Sequence, residues 1–209
     1  MMKKDLKGKK KKTPAREILE WVLTVAAALV IALPVRAFGF ELMRVDGSSM
    51  ESTLADGEIM FVSKFDYASS WLALPWQDDE TKESAPRLVT GGAPERFDVV
   101  ACRYPGRGGT VFVKRVVGLP GDTVEMKSGY LYVNGEKCDE PYVKDEYRVG
   151  RMNDFGPVTV PEGRYFVLGD HRNDSNDSRF VGVLPRDMIL GHARAVVFPF
   201  AGVRGIGSP

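Results

Sequence analysis

From Ile18 to Phe40 the chain is almost wholly apolar, ILEWVLTVAAALVIALPVRAFGF, broken only by Glu20 and Arg36. As a helix this run would reach about 34 Å, enough for a hydrocarbon core of about 30 Å. Its uninterrupted part, Trp21 to Val35, is shorter, so Glu20 and Arg36 are expected at the two interfaces, snorkelling toward water. Pro34 is tolerable near the outer end of such a helix. The pattern predicts a transmembrane helix over residues 17–40. Beyond Glu41 the rhythm changes. Strand-like runs recur at Ile59–Lys64, Val99–Tyr104, Thr110–Val117, Tyr130–Val133, Arg164–Leu168 and Ala193–Phe198, with Pro, Gly, Asn and Asp between them. Leu119-Pro120-Gly121-Asp122 has the residues of a type II turn, and Val133-Asn134-Gly135-Glu136 those of a type I′ hairpin. Residues 41–209 therefore read as one mostly antiparallel β domain. One stretch breaks the pattern: residues 67–96 hold Trp71, Trp76, an acidic run and several Pro and Gly, a long insertion. Its indoles suit a bilayer interface, or equally a mobile insertion resting on its own domain.

Charge settles the orientation. Residues 1–16 carry eight cations against Asp5 alone, a +7 tail; with a net +1 for the whole chain, the rest is −6. A lysine block alone would also suit a nucleic-acid arm, but here it abuts the apolar run, the arrangement of a topogenic signal. The tail is expected in the cytoplasm and the body outside. A cleaved secretory signal has the same basic and apolar regions, so the charge pattern leaves that alternative open.

Chemistry-bearing residues fall in three segments. Directly after the apolar run comes Val45-Asp46-Gly47-Ser48-Ser49-Met50-Glu51-Ser52-Thr53-Leu54, which would hold a serine close to a bilayer surface. The second is Thr110 to Gly118, TVFVKRVVG. Alternation along a strand puts Phe112, Lys114 and Val116 on one side and Val113, Arg115 and Val117 on the other. Both faces are mainly apolar, so either a cation is drawn inward or both snorkel at an edge. A lysine drawn inward has a lowered pKa and can act as a general base; an arginine cannot. The third, Gly169 to Gly182, is dense in Asp, Asn, Ser and Arg and reads as a self-bracing loop, with Asp177 and Arg179 suited to an ion pair. It lacks the closing Glu of a calcium hand. Cys102 and Cys138 have no metal-ligand spacing, and either pair or stay as two half-buried thiols. His171 and His192 have no clustered partner ligands, so no metal and no cofactor is expected.

Together, in this order, the three segments resemble the motif boxes of bacterial type I signal peptidases of the Gram-positive kind. Ser49-Met50 with Thr53-Leu54 resembles the nucleophile box Ser-Met-x-Pro-Thr-Leu, and Phe112 to Asp122 resembles the lysine box. Gly169 to Gly182 resembles the Gly-Asp-Asn-Arg-x-x-Ser-x-Asp-Ser-Arg box. The resemblance implies a two-part antiparallel β fold with one retained N-terminal transmembrane anchor, which argues against removal of residues 1–40. It implies Ser49 as nucleophile on a turn that includes Met50, Lys114 as base, Ser175 orienting the lysine, and Asp177 with Arg179 bracing the loop. The partners implied are preproteins with small residues at positions −3 and −1 and membrane lipid, with no nucleic acid. The oxyanion would rest on the Ser49 N–H and a second donor, which Gly47 leaves unassigned. Departures are Ser52 for the usual proline, His171 for asparagine, and Phe97-Asp98 for Gly-Asp.

Other readings compete. A Ser-His-Asp hydrolase would use His171 or His192 with an aspartate. A membrane-tethered β module would bind peptides by strand addition without chemistry. A self-cleaving repressor shares the Ser-Lys chemistry but needs a DNA-binding helical domain, where this chain has its apolar run.

Overall fold

The computed structural model describes residues 13–34, 39–67, 69–71, 87–89, 91–107, 110–149 and 154–207. The chain separates into two compact units, residues 1–36 and residues 37–209. The first contains helix α1, Pro14–Pro34. It starts with proline in its first turn, Glu17 near its positive end, and the N–H groups of Arg16 and Glu17 on the Thr13 carbonyl. Its large apolar side chains, Ile18, Trp21 and Val30 among them, are exposed. Among the described residues, no helix is long and apolar enough to cross a membrane. In sequence the apolar run continues to Phe40, and Arg36 lies outside the described residues.

The second unit is antiparallel sheet. In chain order its strands are β1 (Phe40–Arg44), β2 (Ile59–Ser63), β3 (Ser69–Trp71), β4 (Arg87–Val89), β5 (Val99–Cys102), β6 (Phe112–Gly118) and β7 (Thr123–Lys127). Then come β8 (Tyr130–Val133), β9 (Glu136–Lys137), β10 (Phe155–Thr159), β11 (Arg164–Leu168), β12 (Leu184–Pro185), β13 (Ile189–Phe198) and β14 (Arg204–Gly205). A large sheet runs β1-β2-β13-β5-β6-β11-β12 with β14 on β13; a smaller one runs β10-β7-β8-β9. The two-part antiparallel β expectation is met. The two turns form as read: Asp122 N–H reaches Leu119 O with Gly121 at φ 87°, and Asn134 and Gly135 both take positive φ between paired Val133 and Glu136. The insertion carries a short ladder, β3 with β4; Trp76 lies outside the described residues.

Three apolar clusters fill the unit. Met50, Leu54, Met60 and Val62 pack on one face of the large sheet with Val99 and Val196. Val100, Cys102, Val116 and Val167 form a second cluster, which follows from the alternation of β5 and β6. Val117, Val124, Leu131, Phe166 and Leu168 join the two sheets. Of the two readings of β6, the inward one holds, and for both cations: Lys114 and Arg115 are each 2 % exposed, so neither snorkels at an edge.

Candidate active site

The turn that carries Ser49 is anchored at both ends. Val45 N–H donates to Glu58 O and Gly57 N–H to Val45 O, while Gly47 N–H donates to Asp56 Oδ1. Inside it, Thr53 and Leu54 N–H both reach Met50 O, and the Met50 and Leu54 side chains sink into the core. Arg204 grips Glu58 through Nη1 and Nη2, and Nη2 also donates to Thr53 O. Ser52, where the resembling motif has proline, sits within this anchored turn, and its buried hydroxyl makes no hydrogen bond.

β6 delivers the lysine. Lys114 Nζ lies 2.7 Å from Ser49 Oγ and donates to Val113 O at 2.8 Å. Among the described residues no carboxylate lies within ion-pairing distance of it. Burial holds its pKa below the ordinary 10.5, against the opposing influence of Cys102, Asp177 and Asp170. The Cys102 thiol is itself pushed up to about 12 by burial, so near neutral pH it carries no charge to offer the ammonium. The net effect favours a neutral amine. On the opposite face of β6, Arg115 bonds Asp170 in a buried two-point pair, and Asp170 also accepts from Thr53 of the nucleophile turn. Tyr142 stacks on the Arg115 guanidinium at 3.8 Å.

The polar loop after β11 closes the site. Gly169 approaches so closely that a Cβ there would meet Ser49 O at 2.6 Å and would collide with Ser175. Asp177 accepts from Gly169 N–H, pairs with buried Arg179, and caps the short helix α2 (Ser178–Val181). Arg172 pairs with buried Glu140. The hydrogen bond expected from Ser175 to the lysine is not made: Lys114 Nζ meets Ser49 and Val113, and the buried Ser175 hydroxyl has no partner. Neither histidine bonds the Ser49 hydroxyl. His171 lies against the turn, with Nδ1 3.1 Å from Glu51 and 3.3 Å from Ser48 O, and stacks on Tyr147. His192 is buried on β13 between Asp66 and Asp98 and stacked on Tyr67; burial lowers its pKa. Cys102 and Cys138 are both free thiols. No cluster of metal-ligating residues occurs among the described residues.

Sequence reasoning missed Asp170, Thr53, Glu140 and Tyr142. Asp170 and Thr53 lie inside the motif segments, but nothing in the spacing pairs them with Arg115, which is 55 residues from Asp170.

A family model described as signal peptidase, peptidase S26, matches residues 18–198. The chain belongs to this family. A signal peptidase I of Bacillus licheniformis is 40% identical over 194 residues, 90% of this chain and 92% of that protein. Signal peptidase I T of Bacillus subtilis (strain 168) is 39% identical, over 95% of this chain and 93% of its own. Signal peptidase IB of Staphylococcus aureus (strain COL) is 34% identical, over 89% and 92%. A crystal structure of a signal peptidase I from Enterococcus faecalis V583 aligns with 47% of this chain and 95% of its own at 40% identity, with a TM-score of 0.42. Membership in the peptidase S26 family makes the chain a serine hydrolase of the type I signal peptidase kind, Gram-positive-like in its relatives.

Proposed function

We propose that this enzyme removes N-terminal signal peptides from exported preproteins with a Ser49–Lys114 dyad. The observation that carries the reading is the 2.7 Å approach of Lys114 Nζ to Ser49 Oγ in a pocket that disfavours the ammonium. With Nζ neutral and one N–H given to Val113 O, the lone pair accepts the Ser49 proton as the hydroxyl attacks the scissile carbonyl. The proton passes from Nζ to the leaving amine, and water, deprotonated in the same way, releases the acyl group. Among the described residues the Ser49 N–H makes no hydrogen bond, and it is assigned to the oxyanion. Asp177 and Arg179 hold the loop against Ser49.

Small residues at −3 and −1 of the substrate follow from the family reading. Tethering to a membrane is supported by the +7 tail, the apolar run from Ile18 to Phe40 and the outward apolar side chains of α1. With the tail cytoplasmic, the catalytic domain faces the exterior, where preproteins emerge. The test is cleavage of a purified preprotein by the wild type and by Ser49→Ala. Release of the mature amino terminus by the wild type alone supports the reading, and an active Ser49→Ala refutes it.

A further inference from the structure

Residue 171 touches both peptide groups that flank Ser49. Its backbone N–H donates to Ser49 O at 3.1 Å. Its ring Nδ1 lies 3.3 Å from Ser48 O and 3.1 Å from Glu51 Oε2. A carbonyl oxygen only accepts, so Nδ1 carries the proton and donates. The ring is fixed from the other side by a stack on Tyr147, with centroids 3.8 Å apart and planes 22° apart. Tyr147 is held in turn by Lys144 and by Glu51. The imidazole is thus fixed by the stack, and its Nδ1–H lies between two acceptors, the Ser48 carbonyl and the Glu51 carboxylate.

That carbonyl matters because the peptide unit is planar and trans. The Ser48 carbonyl and the Ser49 N–H belong to one plane and point in opposite directions. Whatever holds Ser48 O therefore also aims the Ser49 N–H. Ser48 O has two donors, Glu51 N–H at 2.9 Å from inside the turn and the His171 ring from outside it. The first moves with the turn; the second ties the plane to the polar loop, which the buried Asp177–Arg179 pair holds.

We propose that His171 is a positioning residue: its Nδ1–H on Ser48 O sets the plane of the Ser48–Ser49 peptide and so points the Ser49 N–H at the developing oxyanion. This rests on the reading of Ser49 as nucleophile. It gives the histidine a part in the reaction without making it the base, and an asparagine at the same position has an amide N–H that can reach the same oxygen. The side chain acts through a hydrogen bond whose benefit appears only when the carbonyl becomes tetrahedral, so kcat falls and KM does not.

The experiment compares the full-length wild type with His171→Phe, His171→Asn and Ser49→Ala, using preprotein turnover and inhibition by a substrate-like peptide aldehyde. The aldehyde adds to the serine and places its oxygen where the oxyanion sits. Phenylalanine keeps the stack on Tyr147 and loses the donor. His171→Phe should lower kcat roughly 10-fold to 30-fold with KM within about twofold, less than the loss of a full oxyanion donor. Its aldehyde affinity should fall by the same factor, and the midpoint of its pH–rate profile should not move. His171→Asn should recover to within about threefold of the wild type. A folded His171→Phe with unchanged kcat, or with a loss confined to KM, overturns the positioning role while an inactive Ser49→Ala leaves the dyad intact. An active Ser49→Ala overturns both.

Discussion

Arg115 and Asp170 meet through two parallel hydrogen bonds, Nε to Oδ1 at 2.9 Å and Nη2 to Oδ2 at 2.7 Å, with both side chains withdrawn from solvent. Arg115 is the neighbour of Lys114 on β6, and strand alternation sends the two cations to opposite faces. The carboxylate also holds Thr53, so one buried pair fixes the strand that carries the amine to the turn that carries the hydroxyl. Removing one partner strands a buried charge. Asp170→Ala should cost about 3–5 kcal/mol of stability. Equilibrium urea unfolding measures it, and a loss below about 1 kcal/mol would mean the pair is incidental.

Lys114→Arg keeps the charge and approximate length but cannot release its proton near neutral pH. Turnover should fall by about 10²–10⁴ or more, the contribution of a positioned base. The double variant His171→Ala with His192→Ala should stay within roughly 30-fold of the wild type, since neither ring bonds the Ser49 hydroxyl. Steady-state cleavage of one preprotein by the three folded proteins decides. A fully active Lys114→Arg would return the assignment to a histidine.

Burial lowers the Lys114 pKa from 10.5, which fixes two pH dependences of opposite origin. The rate should rise with pH through the lowered pKa as the amine loses its proton. Stability follows from linkage: between the folded and unfolded pKa values the unfolded chain binds more protons, so stability rises with pH. The penalty is absent above about 10.5 and complete below the lowered value. Lys114→Met should therefore be more stable than the wild type near neutrality, with the gap closing toward pH 10.5. Parallel thermal melts across that range check the trend; a gap that widens with pH would contradict a buried, neutralised amine.

Phe97 has φ 72°, a left-handed conformation at a position where glycine is usual in the resembling motif. Left-handed backbone costs a residue with a Cβ about 1–2 kcal/mol. The ring offsets this by packing into the cluster that joins the sheets and tilting on Tyr142 at 6.0 Å. Complete loss of a buried phenylalanine costs about 3–5 kcal/mol, less for this half-buried one, so packing outweighs strain. Unfolding midpoints should rank wild type, then Phe97→Gly, then Phe97→Ala, because alanine loses the packing and keeps the strain. An alanine variant more stable than the glycine variant would remove the strain argument.

The legible part of the fold was the part whose signal is local. β8 and β11 lie where their apolar runs end, and the Asn134-Gly135 turn forms because both residues tolerate positive φ. β7 was missed although buried Val124 and Met126 alternate with half-buried Thr123 and Glu125, because it is a short run following a turn. β10 contains Gly156-Pro157, which reads as a break, and β13 begins before the run expected of it, across Gly191-His192. In the site, motif order singled out Ser49 and Lys114, which lie 65 residues apart in the chain. The second layer was not legible. Arg115 finds Asp170 and Arg172 finds Glu140 only once the sheet is assembled, and no sequence spacing encodes those meetings.

Between Ser49 and Lys114 the chain makes its long excursion, and Arg186 stands at the root of it. One guanidinium nitrogen, Nη2, serves both sides: it donates at 2.7 Å to Tyr67 O on the outgoing side and at 2.7 Å to Gly92 O on the returning side. Both ends are thereby stapled to the segment just before β13. Closing a longer excursion costs only about 0.6 kcal/mol for each doubling of its length. The root thus works as a graft point, where the chain between Tyr67 and Gly92 joins the domain through one side chain.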